Sequence, residues 1–125
     1  MAEMTGDATH DGARLLDEVE GEGTAEAWMN LCLSQAGVVL ATPWVFFLAY
    51  PQPDSPREIY VAYAYGDLRS VGAAGRLCLE SGRFDKMSFR RGFGSGRDEE
   101  ERRVYNLAEL VERTERLAQR VSRWK

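Results

Sequence analysis

Two neighbouring stretches, WVFFLAY at 44–50 and EIYVAYAY at 58–65, are apolar on both of the faces that an extended chain presents. In the first, Trp44, Phe46, Leu48 and Tyr50 fall on one side and Val45, Phe47 and Ala49 on the other, because successive side chains of a strand point in opposite directions. A strand wetted on one side alternates apolar with polar residues. A hairpin built from these two must therefore be central, or be covered on its second face by a helix, by the N-terminal segment or by another subunit. The intervening PQPDSP holds three prolines, which cannot continue a central ladder, so it reads as the loop.

Helices are expected around this hairpin. One starts at Thr24 as N-cap with Glu26 in its first turn, steps through Trp28, Leu31 and Cys32, and stops at Gly37. A second runs from an Asp67 cap to Gly82 with the stripe Leu68, Val71, Gly75, Cys78 and Leu79. Glycine inside a helix is unfavourable by about 0.5–1 kcal/mol relative to alanine, so Gly72 and Gly75 predict close packing, onto the Ala62/Ala64 side of the second strand. Residues 84–91 and 102–107 read as a second strand pair. The last helix opens at Asn106, with Glu109 three residues on as in a capping box, and carries Leu107, Leu110, Val111, Leu117, Val121 and Trp124 at helical spacing. A continuous helix over 98–124 is the rival reading. The expected architecture is thus α+β: an N-terminal helix followed by two β-β-α units, forming a four-stranded antiparallel sheet packed with helices.

A chain of 125 residues suits one domain. Residues 1–23, rich in Gly, Thr and acids around the apolar island Leu15, Leu16 and Val19, read as an acidic mobile tail or a helix lying on its own domain; residues 24–125 form the single domain. The first 26 residues hold eight acids against Arg14, and residues 83–125 hold twelve bases against eight acids. The net charge of −4 argues against strong non-specific nucleic-acid binding, which needs many uncompensated Lys/Arg contacts. The longest apolar run, AGVVLATPWVFFLAY, has 15 residues with Pro43 inside it, too short to cross a bilayer, and no leader peptide is visible. Cys32 and Cys78 read as small buried hydrophobes, which fits a reducing cytoplasm.

The stretch RRGFGSGRDEEERR at 90–103 invites chemistry. Its Arg91-Gly92-Phe93-Gly94 matches the first four positions of the RNP1 signature, but Ser95 and Gly96 stand where that motif requires an aromatic and a valine on a strand. As a phosphate cradle the loop is followed by Asp98, Glu99, Glu100 and Glu101, whose charges repel an anion. A hairpin connection bent by glycines is the reading these residues favour. The alternative is a single-stranded nucleic-acid contact through Arg90, Arg91, Phe93, Arg97, Arg102 and Arg103, helped by Arg113, Arg116, Arg120 and Arg123 of the last helix.

Catalytic constellations are scarce. The sole histidine, His10, lies in the N-terminal segment, and neither cysteine has a second metal ligand near it in sequence, so no enzyme, metal or cofactor is expected. Large amphipathic aromatics suit partner surfaces. The sequence therefore points to a small non-enzymatic interaction module, an adaptor or an inhibitor of immunity type. Its surface would be Trp44, Phe46, Tyr50, Tyr60, Tyr63 and Tyr65, and its partner another protein, most simply a second copy in a homodimer. Arginine outnumbers lysine 14 to 2, which fits an accessory protein of a GC-rich bacterium or phage. A small-ligand pocket between the sheet and the glycine-rich helix is a third class.

Overall fold

The computed structural model describes residues 8–89 and 103–123. The elements run α1 (Ala8–Glu20), α2 (Thr24–Ser34), β1 (Val38–Thr42), β2 (Val45–Gln52), β3 (Ser55–Gly66), α3 (Leu68–Glu80), β4 (Lys86–Phe89), β5 (Val104–Asn106) and α4 (Leu107–Arg123). The strands make one sheet in the order β1-β2-β3-β4-β5. All neighbours are antiparallel except β3 and β4, which are parallel with Ile59 opposite Met87.

The α+β class holds, while the sheet departs from the expected four antiparallel strands. Its fifth strand, β1, lies inside the long apolar run, where Pro43 and Trp44 make a tight turn that reverses the chain onto β2. The parallel pair follows from α3: a helical crossover returns the chain to the end of the sheet where β3 began, so β4 is laid down in the same direction. Three strands therefore precede α3, and the layout is not a repeated β-β-α unit. Pro51 sits within β2, yet β1 pairs only with residues Val45 to Ala49 of it, so the proline occupies a stretch with no strand on that side.

Both faces of the two-faced hairpin are covered by the chain's own helices. Val45, Phe47, Ala49, Ile59 and Val61 pack against Ala74 and Cys78 of α3 and Leu107 and Val111 of α4. Phe46, Leu48 and Tyr63, on the opposite face, pack against Leu16 of α1 and Ala25 and Cys32 of α2. Residues 8–20, within the segment read as an acidic tail, form α1. Leu16 of its apolar island is fully buried, while Leu15 and Val19 stay exposed beside an outer row of charges in which Arg14 lies 3.3 Å from Asp11 and 3.4 Å from Glu18. Gly23, not Thr24, is the N-cap of α2, at φ 89°. It has no side chain to offer, and the Oδ1 of Asp17 on α1 accepts from the Ala25 N–H at 2.8 Å instead.

The glycines of α3 serve a different neighbour from the one expected. A Cβ on Gly72 would stand 3.0 Å from Cγ2 of Thr114, and one on Gly75 would stand 3.4 Å from Cγ2 of Val111, so they let α3 approach α4 rather than the Ala62/Ala64 side of β3. The Asp67 cap is present, its Oδ1 accepting from Ser70 N–H at 2.8 Å, and Asn106 Oδ1 accepts from Glu109 N–H at 2.9 Å to open α4. Because Val104 to Asn106 pair with β4, the end of the chain is a strand followed by a helix and not one continuous helix. No helix among the described residues is long and apolar enough to cross a membrane.

Candidate functional site

The fold divides the six aromatics that the sequence grouped into one surface. Trp44 stands in the β1–β2 turn, 67% exposed. Phe46 and Tyr63 are core residues at 0% and 5% exposure, meeting edge to face with ring centroids 5.9 Å apart. Their expected place on a partner surface is corrected: α1 lies over them, and the Tyr63 hydroxyl donates to the carbonyl of Gly12 at 2.9 Å. Tyr65 is half-buried against the same cluster.

Tyr50 and Tyr60 remain, and they stand together. They are register partners across β2 and β3, with ring centroids 5.3 Å apart. With Ala62 of β3 and Trp28, Leu31 and Cys32 of α2, they line a groove of about 220 Å³. A bulge shapes it. Leu48 pairs with Tyr63 and Ala49 with Val61, which leaves Ala62 as an extra residue in β3. Strict alternation would set Tyr63 and Tyr65 on the face opposite Tyr60; the extra residue brings them onto the same one and places a small side chain beside Tyr60. Cys32 closes the groove with a fully buried thiol, pushed up by burial from 9.0 to about 11. The Tyr50 phenol is raised as well, first by burial and then by the neighbouring Cys32.

On the β4 side Tyr60 is the register partner of Ser88. The Ser88 hydroxyl donates to the carboxylate of Glu58 at 2.5 Å, with the two residues 0% and 3% exposed. A serine and a carboxylate enclosed to this degree cannot be reached by a substrate, so the pair acts as a buried polar tie between β3 and β4. Sequence reasoning passed over Glu58, Ser88, Trp28 and Leu31. For Glu58 the sequence offers no local signal, since it directly follows the exposed Arg57 and glutamate is among the residues least often fully buried.

Other chemistry finds little support in the geometry. Burial pushes the Cys78 thiol up to about 11, with Arg83 pulling weakly the other way, and a nucleophilic thiol needs the opposite shift. Among the described residues no group of three or more His, Cys, Asp or Glu is placed to hold a metal ion. His10 borders a concavity along α1 whose other walls include Arg14, Asp17 and Glu18. Of the loop read as a nucleic-acid contact, Arg90, Arg91, Phe93, Arg97 and Arg102 lie outside the described residues, and Arg103 is exposed just ahead of β5. On α4 the exposed Arg113, Arg116 and Arg120 are interleaved with acids, Glu112 lying 3.5 Å from Arg116. No protein-family model matches the chain, and comparison with curated proteins and with solved structures finds no match either.

Proposed function

We propose that this protein is a non-enzymatic interaction module that receives an apolar side chain of a partner protein in the groove between α2 and the Tyr50–Tyr60 pair. One observation carries the reading. Phe46, Phe47 and Tyr63 are covered by the chain's own helices, whereas Trp28, Tyr50 and Tyr60 are only partly buried and surround an open apolar recess with Leu31, 43% exposed, at its lip. At about 220 Å³ the recess is smaller than the roughly 300–1,000 Å³ typical of metabolite sites. It suits one inserted side chain.

Trp and Tyr are the residues that dominate binding energy at protein interfaces, because they bring large rigid area and a polar tip. Such a groove serves an adaptor or an inhibitor, which act by occupying a partner's surface and not by turning over a substrate. Two free, buried cysteines suit action in a reducing cytoplasm. Selection of displayed peptides on the immobilised protein tests the proposal. Enriched peptides should share one aromatic or aliphatic anchor and lose at least about tenfold in affinity on Tyr60→Ala, as removal of a hot-spot aromatic does. Enrichment of anchorless peptides, or binding that ignores Tyr60→Ala, contradicts it.

A further inference from the structure

We infer that β1 is a self-association edge, onto which a second copy of this chain adds its own β1 antiparallel across a two-fold axis. The inference stands apart from the groove and does not depend on it. Among the described residues the sheet ends at β1, so the outward N–H and C=O groups of Val38 to Ala41 face no further strand, while the Thr42 carbonyl accepts from the Thr9 hydroxyl of α1. Proteins blunt such edges with lysine, proline, a bulge or a short strand. The other edge follows this rule, since β5 has three residues and begins directly after Arg103. β1 is longer, and its proline, Pro43, stands only after its last residue. It reads Val-Val-Leu-Ala-Thr and pairs with β2 through five consecutive residues without a register break.

Charge says what can cover it. Between Glu26 and Asp54 the chain carries no charged side chain, although 29% of its residues are charged and the whole is at −4. Two copies, each at net −4, can meet along this neutral strip without setting like charges against each other. Arg83 reaches the start of the strip, its guanidinium donating to the Ala36 carbonyl at 2.6 Å, and along the strand itself a strongly charged partner would find nothing to match. The strand is also self-complementary: a two-fold centred on Leu40 sets Leu40 against its own copy, Val39 against Ala41 and Val38 against Thr42. Val38 and Leu40 already pack on the core beneath α3 and α4, so the pairing runs that core across the seam.

The helices on either side agree. Leu33, 61% exposed, lies on the flank of α2 away from the groove, and Leu77, 51% exposed, lies on the flank of α3 away from α4. Helical spacing therefore aims both toward the β1 side of the sheet. An isologous contact of this kind closes as a dimer, because it consumes the same edge on both copies.

Light scattering over a dilution series, with hydrogen exchange read at residues 38–42, tests the inference on the full chain. The native protein should weigh twice the chain mass, and exchange at β1 amides should slow as concentration rises. Ala41 is exposed, so Ala41→Lys should leave the fold and its circular dichroism intact while reducing the mass to that of one chain. Leu77→Lys should weaken the dimer without abolishing it. A native chain that is monomeric throughout the series overturns the inference. So does a dimer whose β1 exchange is independent of concentration, or one that survives in folded Ala41→Lys.

Discussion

The hydroxyl of Tyr63 on β3 donates to the carbonyl of Gly12 on α1 at 2.9 Å, across 51 residues of chain. Gly12 also sits where a Cβ would stand 3.0 Å from the Cβ atoms of both Phe46 and Tyr65, so α1 rests directly on the sheet. That contact makes α1 the lid over Phe46, Leu48 and Tyr63. Tyr63→Phe should cost about 1–3 kcal/mol in chemical denaturation, the range for stranding one buried hydrogen-bonding group. Gly12→Val should cost a similar amount through overpacking and should raise dye binding to exposed apolar surface. Unchanged midpoints for both variants would mean that α1 contributes nothing to covering this face.

How much of this was legible in the sequence depended on how local each cause is. The caps at Asp67 and Asn106 are contacts over three residues, and both could be read directly. The two faces of residues 45–49 followed from alternation alone, and Phe46 and Leu48 do part from Val45, Phe47 and Ala49. β1 was obscured because it adjoins β2 in one apolar run, and the parallel β3–β4 pairing was obscured because nothing local records where a crossover helix sets down its strand. The site was half legible. Tyr50 and Tyr60 stood out as aromatics, but alternation misplaces Tyr63 and Tyr65, since the bulge at Ala62 reverses their side. The groove also needs Trp28 and Leu31 from α2, a partner that only packing reveals.

The α3–α4 seam should be intolerant of volume. A Cβ at Gly72 already reaches Thr114 at 3.0 Å, so Gly72→Val should separate the helices and cost about 1–3 kcal/mol. Arg76 grips Glu115 across the same seam with two hydrogen bonds of 2.6 and 2.7 Å. Loss of cooperativity in the Gly72→Val melt, against a sharp native one, is the expected reading. A Gly72→Val protein as stable as the native chain would contradict the close approach.

Acid should weaken the fold in a defined window. Asp67 is held below the usual carboxylate range chiefly by the Ser70 backbone N–H, Asp85 by hydrogen bonding to Arg57, and Glu115 by hydrogen bonding to Arg76. Folded-state values that are depressed add stability above the ordinary carboxylate pKa of about 4, and that stability is lost as pH falls through the lower folded values. These groups are exposed, so the effect is small and shrinks with salt. The denaturation midpoint should hold level from about pH 7 to about 5 and then decline below about 4, less steeply in Asp67→Asn.

Both thiols should be inert in the folded protein. Cys32 and Cys78 are fully or nearly fully buried, each raised from 9.0 to about 11 chiefly by burial. Ellman's reagent should react only at the rate of unfolding. Raised folded values leave stability whole below the unfolded pKa and remove it as pH climbs through the folded one, so alkaline weakening should begin near 9.0 and grow toward 11. Rapid labelling at neutral pH would show that the groove opens down to Cys32.

The most direct test of the groove is a heteronuclear NMR titration of the labelled protein with a peptide taken from the display selection. Shifts should concentrate at the Trp28 indole N–H and at the amides of Leu31, Tyr50, Tyr60 and Ala62, and Tyr60→Ala should abolish them while leaving the rest of the spectrum in place. Shifts centred instead on the α1 surface or on α4, with those five residues unmoved, would contradict the assignment of the groove as the binding site.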